Sequence, residues 1–242
     1  MMLDAAGIDF MVIDMEHGSY SQETVADLIS GCRGTRVAPF VRIPKIDRGC
    51  ITAVLDAGAC GILAANVETA EEVRHCVEYA CYAPMGRRGV SLLKGHTAFH
   101  RPERVSYTQA ANERVLVMVQ VESDRAIQNI DAILEVDGLD LAFIGPADLA
   151  HSLSPNSEQG VDRLLEAAIR RVAAAAHRHG VHLGIHVLET GQVASLFDQG
   201  ARLFTVASDA SLIISRAQHL MEEVRPCANR AVITGEDSQV RR

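Results

Sequence analysis

Five segments of the chain repeat one pattern, in which a helix-like stretch reaches a glycine and an almost unbroken apolar run follows. They read AAGIDFMVID, DAGACGILAA, VDGLDLAFIG, HRHGVHLGIH and DQGARLFTVA. Each glycine stands where a helix needs a left-handed residue to close its last turn; the five are Gly7, Gly58, Gly138, Gly180 and Gly200. Apolar runs without alternation are typical of strands buried on both faces, which indicates a parallel sheet.

Counting these runs predicts seven strands separated by segments of helical period. The strands are predicted at 9–14, 38–43, 61–66, 115–121, 140–145, 182–187 and 203–207. Helices are predicted at 22–31, 47–57, 69–80, 124–136 and 160–179. Thr69 and Glu72 have the spacing of a capping box at the start of the third helix. Strand followed by helix, many times over, indicates a repeated βα unit.

Two α/β folds accommodate such a repeat, namely a (β/α)8 TIM barrel and an open doubly wound sheet. A closed barrel needs eight strands, but the chain opens on MMLDAAG, which resembles the end of a helix with no strand before it. We favour a barrel that lacks its first strand, because polar residues collect at one end of the strands. We predict a single barrel domain over residues 1–225 and a loosely ordered tail over 226–242, preceded by an amphipathic helix at 209–224.

Charged and polar side chains follow four of the predicted strands, at the end where barrel enzymes carry their active sites. These residues are Asp14, Glu16, His17, Arg42, Gln120, Glu122 and Asp148. Glu122 and Asp148 follow sequential strands, so their carboxylates could converge. Two bare carboxylates repel each other and a divalent cation resolves the repulsion, with Mg²⁺ or Mn²⁺ preferring oxygen ligands. Taken singly, each carboxylate has another interpretation. Glu122 could interact with the positive N-terminus of the helix that follows it, and Asp148, which we expect in a loop, could cap a short turn.

The other polar residues at this end also have two interpretations. Arg42 offers a charged fork that can clamp a carboxylate or an enolate oxygen, and its alternative is a surface pair with Asp47. His17 can transfer protons near neutral pH, or merely bond to nearby backbone. Gln120 points inward if Glu122 does, because strand side chains alternate, and would otherwise be a polar filler of the barrel mouth.

Size, charge and cysteine content exclude several classes of protein. The 242 residues, 48% of them hydrophobic, can bury a barrel-sized core. A net charge of −8 without a basic tract argues against nucleic acid and anionic membrane as partners. The six cysteines show no C-x-x-C pair and resemble reduced core thiols. With no signal peptide and no long apolar run, we expect a soluble, cytoplasmic protein.

Six segments, taken in chain order, resemble the HpcH/HpaI family of class II, metal-dependent pyruvate aldolases. They are DFMVIDMEHG, PFVRIP, VLDAGACGI, YAPMGRRGV, VMVQVES and FIGPADLA, and the resemblance covers about residues 4–215. It implies a TIM barrel that reversibly cleaves a 4-hydroxy-2-oxo acid into pyruvate and an aldehyde. It also implies a divalent cation as cofactor, Mg²⁺ or Mn²⁺ with Co²⁺ as a third candidate.

The resemblance also implies the substrate and metal ligands. Glu122 and Asp148 would hold the metal, and pyruvate would chelate it through one carboxylate oxygen and the keto oxygen. Gln120, Gly145, Ala147 and Asp148 would line the substrate site, with backbone N–H groups of the GPAD segment facing the carboxylate.

The catalytic roles follow from the same resemblance. His17 would be the acid/base, and Arg42 would bind substrate and stabilise the enolate oxygen. Asp56 would raise the basicity of His17, an assignment that rests wholly on the resemblance. No lysine stands at a matching strand end, since Lys45 and Lys94 lie in loops, so a Schiff-base mechanism is not supported.

Members of the family carry a further segment, including the first strand, before the point where this sequence opens. The exposed strand edges would be completed by residues upstream of this start or covered by a partner subunit. The resemblance implies a homo-oligomer (a dimer, trimer or hexamer) that assembles through the C-terminal helix. The aldehyde is left open, because the loop at 91–107 that would meet it is variable.

Two other functions remain open. The first is a citrate-lyase-type carbon–carbon lyase acting on an acyl-CoA ester, which should show a basic patch beyond Arg87 and Arg88. The second is a non-catalytic truncated barrel that acts as a binding or scaffold module. The presence of His17, Arg42 and Glu122 argues against that second alternative.

Overall fold

The described part of the protein is built around one curled sheet of parallel strands, which are hydrogen-bonded in chain order. The computed structural model describes residues 2–156, 159–187 and 189–234. The strands are β1 (Phe10–Asp14), β2 (Ala38–Ile43), β3 (Gly61–Ala64), β4 (Leu116–Val121), β5 (Leu141–Ile144), β6 (His182–His186) and β7 (Ala201–Thr205). The helices are α1 (Met2–Ala5), α2 (Gln22–Gly31), α3 (Arg48–Ala57), α4 (Ala70–Ala80), α5 (Arg104–Arg114), α6 (Asp124–Gln128), α7 (Ile130–Leu134), α8 (Pro146–Leu153), α9 (Val161–His179), α10 (Val193–Asp198) and α11 (Asp209–Thr234).

The strand order distinguishes between the two predicted architectures. A doubly wound sheet reverses its strand order at a switch point, whereas here the order runs from β1 to β7 without reversal. The alternative of an open doubly wound sheet is therefore wrong, and the fold is TIM-barrel-like. Within the described ranges no strand precedes β1 and no hydrogen-bonded pairing joins β7 to β1, so the curled sheet has one strand fewer than eight.

Side chains alternate between the inside of the curl and the helices outside it. The inner cluster consists of Phe40, Leu63, Met118, Leu141 and Phe143. Their neighbours along the same strands, including Val41, Ile62 and Ala142, belong to the larger cluster that packs under the helices. Both faces of each strand are thus buried, which explains why the strands read as continuous apolar runs.

The predicted helix ends are confirmed. Each of the five glycines has a positive φ, with 77° at Gly7, 116° at Gly58, 87° at Gly138, 69° at Gly180 and 104° at Gly200. The capping box is also present. The Thr69 side chain accepts the N–H of Glu72, and the Glu72 carboxylate accepts the N–H of Thr69.

Several boundaries differ from the predictions. The predicted helix 124–136 is two short helices, α6 and α7, with Asn129 between them. The strand predicted at 203–207 begins at Ala201. Helix α5 starts within the segment expected to be a variable loop, and Thr108 is its one residue described as buried, so it has no apolar stripe to detect. Asp148 lies in the first turn of α8, not in a loop, because Pro146 opens that helix.

The C-terminal helix extends beyond its predicted end. Helix α11 continues to Thr234, past the point at 226 where a loose tail was expected; residues 235–242 lie outside the described part of the chain. No described helix has the length and apolar composition that crossing a membrane requires. The described cysteines, Cys32, Cys50, Cys60, Cys76 and Cys81, are free thiols, and of these five Cys76 and Cys81 are buried in the core.

A matched pair of glycine substitutions tests the conformational origin of the helix ends. Gly58→Ala should lower the free energy of unfolding by roughly 1–2 kcal/mol, because an L-residue is strained at positive φ. Gly31→Ala, in the last turn of α2 where an added Cβ meets nothing within 4 Å, should leave stability unchanged or raise it by up to about 1 kcal/mol. Urea unfolding measures both, and equal losses in the two variants would contradict this explanation.

Candidate active site

An ion pair joins the carboxyl ends of β1 and β2. Asp14 and Arg42 are register partners, and each continues the inward-facing row of its strand. Arg42 Nε donates to Asp14 Oδ1 at 2.8 Å, and Nη2 donates to Oδ2 at 2.5 Å. Asp14 Oδ1 also accepts the backbone N–H groups of Glu16 at 2.9 Å and His17 at 3.3 Å. One carboxylate therefore fixes both the guanidinium and the turn that presents His17.

The remaining edge of the Arg42 guanidinium faces the interior of the rim. Its Nη1 lies 3.2 Å from Glu16 Oε2 and donates to Gln120 Oε1 at 3.5 Å. The alternative of a surface pair with Asp47 is wrong, because Asp47 is the N-cap of α3 and accepts the N–H of Cys50 at 2.8 Å.

The pair with Asp14 shifts the titration of both groups. Burial alone would lower the pKa of Arg42, but hydrogen bonding to Asp14 and the charges of Asp14, Glu16 and Glu122 raise it above its ordinary value. Burial would raise the pKa of Asp14, and the Arg42 hydrogen bond together with the backbone donors lowers it below its ordinary value. Both groups are therefore charged at neutral pH.

Glu122 lies in the mouth of the barrel with 4% of its surface exposed. Its Oε1 accepts the backbone N–H of Asn66 at 2.8 Å, and its Oε2 accepts a hydrogen bond from Gln120 Nε2. Gly145 lies directly against this pair, because a Cβ at that position would come within 2.7 Å of both Gln120 Nε2 and Glu122 Oε2. The glycine after β5 thus leaves the space that the Gln120 and Glu122 side chains occupy.

Three carboxylates surround this part of the rim. Burial is the main cause that raises the pKa of Glu122 above its ordinary value, and the charges of Glu16 and Asp148 raise it further. Asp148 is exposed in the first turn of α8, which follows the strand paired with β4. The structure therefore brings Glu122 and Asp148 within electrostatic reach of each other.

The carboxylates around Glu122 suit a divalent cation that has few protein ligands. In the described part of the chain, no group of three or more His, Cys, Asp or Glu side chains is arranged to hold a metal ion. Mg²⁺ is commonly bound by one or two protein carboxylates and keeps several water ligands. Two carboxylates whose mutual repulsion raises a pKa fit such an ion, because the cation offsets that repulsion.

Helix α8 supplies backbone donors at the same rim. Pro146 opens the helix without an N–H, so the first backbone donors belong to Ala147 and Asp148. The N–H groups in the first turn of a helix have no intrahelical partner, and they favour an anion. Four of the five predicted substrate-binding residues therefore border the Glu122 carboxylate or the start of α8, namely Gln120, Gly145, Ala147 and Asp148. The fifth is Arg42.

His17 and Asp56 are not brought together. The His17 side chain is 66% exposed and its Nε2 lies 3.9 Å from Glu16 Oε2. Asp56 lies in the last turn of α3, which returns to the opposite end of the strands, and its Oδ1 accepts from Arg88 Nη2 at 2.8 Å. Among the described residues no contact joins Asp56 to His17, and the role assigned to Asp56 stays a prediction.

Sequence reasoning missed three polar residues at this rim. Asn66, with φ of 53°, donates from Nδ2 to Glu16 Oε1 at 3.0 Å in addition to its backbone bond to Glu122. His186 Nδ1 lies 2.8 Å from Thr205 Oγ1, at the ends of β6 and β7. Burial, followed by the charge of Arg42, lowers the pKa of His186. The alternation that placed Gln120 inward could have placed His186 as well, because His186 lies near the end of the strand predicted at 182–187.

A comparison with protein families identifies the family of the chain. The family model described as HpcH/HpaI aldolase/citrate lyase matches residues 2–216. This chain belongs to the HpcH/HpaI aldolase/citrate lyase family. The resemblance stated from the sequence motifs is therefore confirmed, as is the expectation of an enzyme of the aldolase and lyase type.

Individual HpcH/HpaI relatives show the same relationship over most of the chain. A hydroxypyruvate/pyruvate aldolase from Roseobacter denitrificans is 33% identical over 220 residues, covering 90% of this chain and 85% of that protein. A 2-keto-3-deoxy-L-rhamnonate aldolase from Klebsiella pneumoniae is 37% identical over 216 residues, covering 86% and 77%. The crystal structure of an HpcH/HpaI aldolase from Desulfitobacterium hafniense superposes with a TM-score of 0.88 at 28% identity, covering 93% of this chain and 86% of that one.

Gly145→Ala tests the close packing at the site. The added methyl group must displace Gln120 or Glu122, so we expect turnover to fall at least about tenfold while the free energy of unfolding falls by about 1–3 kcal/mol. Gly89→Ala is the control, because a Cβ there meets nothing within 4 Å. Steady-state kinetics with urea unfolding measures both properties, and wild-type turnover in Gly145→Ala would show that the close approach is unimportant.

Proposed function

We propose that this protein is a divalent-metal-dependent pyruvate aldolase that reversibly cleaves a 4-hydroxy-2-oxo acid into pyruvate and an aldehyde. The observation that carries the proposal is the Arg42 guanidinium, fixed by Asp14 and within electrostatic reach of the Glu122 carboxylate, at one end of a barrel-like sheet. The charge of Asp148 in turn acts on Glu122. Membership of an aldolase family supports the same reaction class.

Glu122 and Asp148 would hold the cation, which we propose to be Mg²⁺ or Mn²⁺, with Co²⁺ as a third candidate. A bound cation supplies Lewis-acid stabilisation of negative charge on an oxygen of the substrate. The oxygen-only character of the donors supports this choice, since hard divalent cations prefer carboxylate and water ligands.

Arg42 acts on the charge that develops during cleavage. Breaking the bond between C3 and C4 of the substrate leaves an enolate, whose negative charge resides largely on the former keto oxygen. A guanidinium oriented in advance by two hydrogen bonds to Asp14 loses little free energy to reorientation when that charge appears. Such pre-oriented donors lower a barrier because they bind the transition state better than the ground state.

We assign proton transfer to His17. Cleavage removes a proton from the 4-hydroxyl group, and the enolate later takes a proton on C3 to give pyruvate. An imidazole can serve both steps near neutral pH, and the 66% exposure of the His17 side chain lets it exchange protons with solvent. Asp56 pairs with Arg88 at the other end of the barrel, and its role in raising the basicity of His17 stays a prediction.

The substrate carboxylate is assigned to the start of α8. The backbone N–H groups of Ala147 and Asp148 and the side chain of Gln120 would bind it, and Gly145 leaves room for its approach. The relatives are named for hydroxypyruvate/pyruvate and 2-keto-3-deoxy-L-rhamnonate, which supports a 2-oxo acid as the class of substrate.

The citrate-lyase-type alternative is less well supported. An acyl-CoA substrate needs cations for its phosphates, and Arg87 and Arg88 were the candidates for that role. Arg87 pairs with Glu78 at 3.3 Å and Arg88 pairs with Asp56 at 2.8 Å, so both charges are already matched. A scaffold role gives no reason to keep Glu122 buried at a cost in stability.

We propose that copies of the chain associate through α11. In the part of this helix whose side chains are described, residues 209–225, six large apolar side chains are exposed, a larger set than a solvated helix normally shows: Leu212, Ile213, Ile214, Leu220, Met221 and Val224. Covering them with a second copy would bury apolar surface, which favours a homo-oligomer, whether a dimer, a trimer or a hexamer.

Chelation tests the metal requirement. A coupled assay of pyruvate release from 4-hydroxy-2-oxo acids should lose nearly all activity in EDTA, because the charge on the keto oxygen loses its main electrostatic partner. Adding back excess Mg²⁺ or Mn²⁺ should restore the rate. Pyruvate release at the full rate in EDTA would remove the metal from the mechanism.

Substituting Arg42 tests the electrostatic role. Arg42→Ala should lower kcat by roughly a hundredfold or more, and Arg42→Lys should retain part of the activity, since it keeps the charge but loses the fork. Arg36→Ala is the matched control, because Arg36 is 82% exposed and pairs with Asp4 away from the rim. Circular dichroism checks folding, and a near-normal kcat in folded Arg42→Ala would overturn the assignment.

A further inference from the structure

His186 and Thr205 form a polar pair at the carboxyl ends of β6 and β7, and the reaction proposed above leaves this pair without a role. The two residues are register partners, and His186 Nδ1 lies 2.8 Å from Thr205 Oγ1. The charge of Arg42 acts on the His186 ring. The pair therefore belongs to the same rim as the candidate active site.

Both side chains face the inside of the curled sheet. A Cβ built on Gly184 would come within 2.7 Å of Phe143 Cδ2, which belongs to the inner cluster. Side chains two residues apart on a strand share a face, so His186 points inward as well. Leu203 packs against the same inner cluster, and Thr205 follows it by two residues on β7. The pair therefore lies above the apolar floor of the barrel mouth.

One ring nitrogen of His186 is available to a ligand. Among the described residues its Nε2 has no hydrogen-bond partner and, unlike Nε2 of His96, it is not buried. The other ring nitrogen, Nδ1, is occupied by the Thr205 hydroxyl group, which fixes the orientation of the ring. The rim thus holds an oriented and accessible polar atom on the side of the mouth away from Glu122.

The hydrogen bond to Thr205 indicates the chemistry of the group that His186 would bind. A hydroxyl group can donate to Nδ1 or accept from it, so the neutral ring presents Nε2 as a donor or as an acceptor. A hydroxyl group of a ligand can match either form. The cation that acts on His186 is Arg42, which already pairs with Asp14 and Glu16. This cation is therefore not free to bind a second carboxylate, and a neutral hydroxyl group is the better match.

The pair borders the part of the substrate that has no assigned partner. Under the proposed function, the substrate carboxylate lies at the start of α8, after β5, and the 4-hydroxyl group lies near His17, after β1. Strands β6 and β7 lie between these two positions on the side of the open edge. A substrate that spans both positions brings C5 and the atoms beyond it, which leave in the aldehyde, past His186 and Thr205.

We propose that His186 Nε2 forms a hydrogen bond with a hydroxyl group on C5 of the substrate, so that the aldehyde released is a 2-hydroxyaldehyde. This inference rests on the proposed aldolase function and adds the class of its aldehyde. Thr205 is a positioning residue, which acts through the orientation of the ring. A site that offers a hydrogen bond to a hydroxyl group discriminates against the analogue without it, because the polar group of the protein then has no partner.

Two substrates that differ in one hydroxyl group test this assignment. Cleavage of 4,5-dihydroxy-2-oxopentanoate gives pyruvate and glycolaldehyde, and cleavage of 4-hydroxy-2-oxopentanoate gives pyruvate and acetaldehyde. Coupled pyruvate release with saturating Mg²⁺ measures kcat/KM for each, and the ratio of the first value to the second is the readout. His186→Leu should lower this ratio about tenfold relative to the wild type. His182→Leu, at the exposed start of the same strand, is the matched control and should keep the wild-type ratio.

Variants of Thr205 test the orientation of the ring separately. Thr205→Val should lower the same ratio several-fold, because Nδ1 loses its partner, and Thr205→Ser should restore it. Circular dichroism checks that each variant is folded. A wild-type ratio in His186→Leu, or in Thr205→Val if the first variant does not fold, would overturn the inference and leave the aldolase reaction standing. If the wild-type protein releases pyruvate from neither compound with Mg²⁺ or Mn²⁺, the proposed function fails and the inference fails with it.

Discussion

The bidentate pair between Asp14 and Arg42 is the interaction on which the arrangement of the active site depends. The two residues are register partners on adjacent strands, so the sheet sets their separation before any side chain is oriented. Asp14 then uses its remaining hydrogen-bonding capacity on the N–H groups of Glu16 and His17. A change at Asp14 would therefore release the guanidinium and the histidine turn together, which makes them one structural unit.

Buried charges are neutralised at one end of the barrel and left in excess at the other. At the N-terminal end, the buried Arg88 and the largely buried Asp56 side chains neutralise each other. At the C-terminal end, Glu122 is buried near Glu16 and Asp148, so its pKa is raised. That end keeps an excess of negative charge despite its cost in stability, which is reasonable only if a bound cation offsets it.

The sequence predicted those features of the fold and site that depend on local pattern. The left-handed glycines, the apolar strands and the placement of Arg42, Gln120 and Glu122 at strand ends all follow from periods of two or 3.6 residues. Helix α5 was missed because it buries almost nothing. The partners of Asp56 could not be predicted, since the contact with Arg88 spans 32 residues and depends on how the loop after α4 folds back.

Some residues of the site lie next to the open edges of the sheet, and others lie on strands that are paired on both sides. Asp14 belongs to β1 and Thr205 to β7, the two strands that have a hydrogen-bonded neighbour on one side only in the described structure. His17 follows β1, and its 66% exposure reflects that position, so anything that covers this edge would change its environment. Glu122 follows β4, which is paired on both sides. The proposed metal position thus rests on the continuous part of the sheet, and completing the edge would affect proton transfer before it affected metal binding.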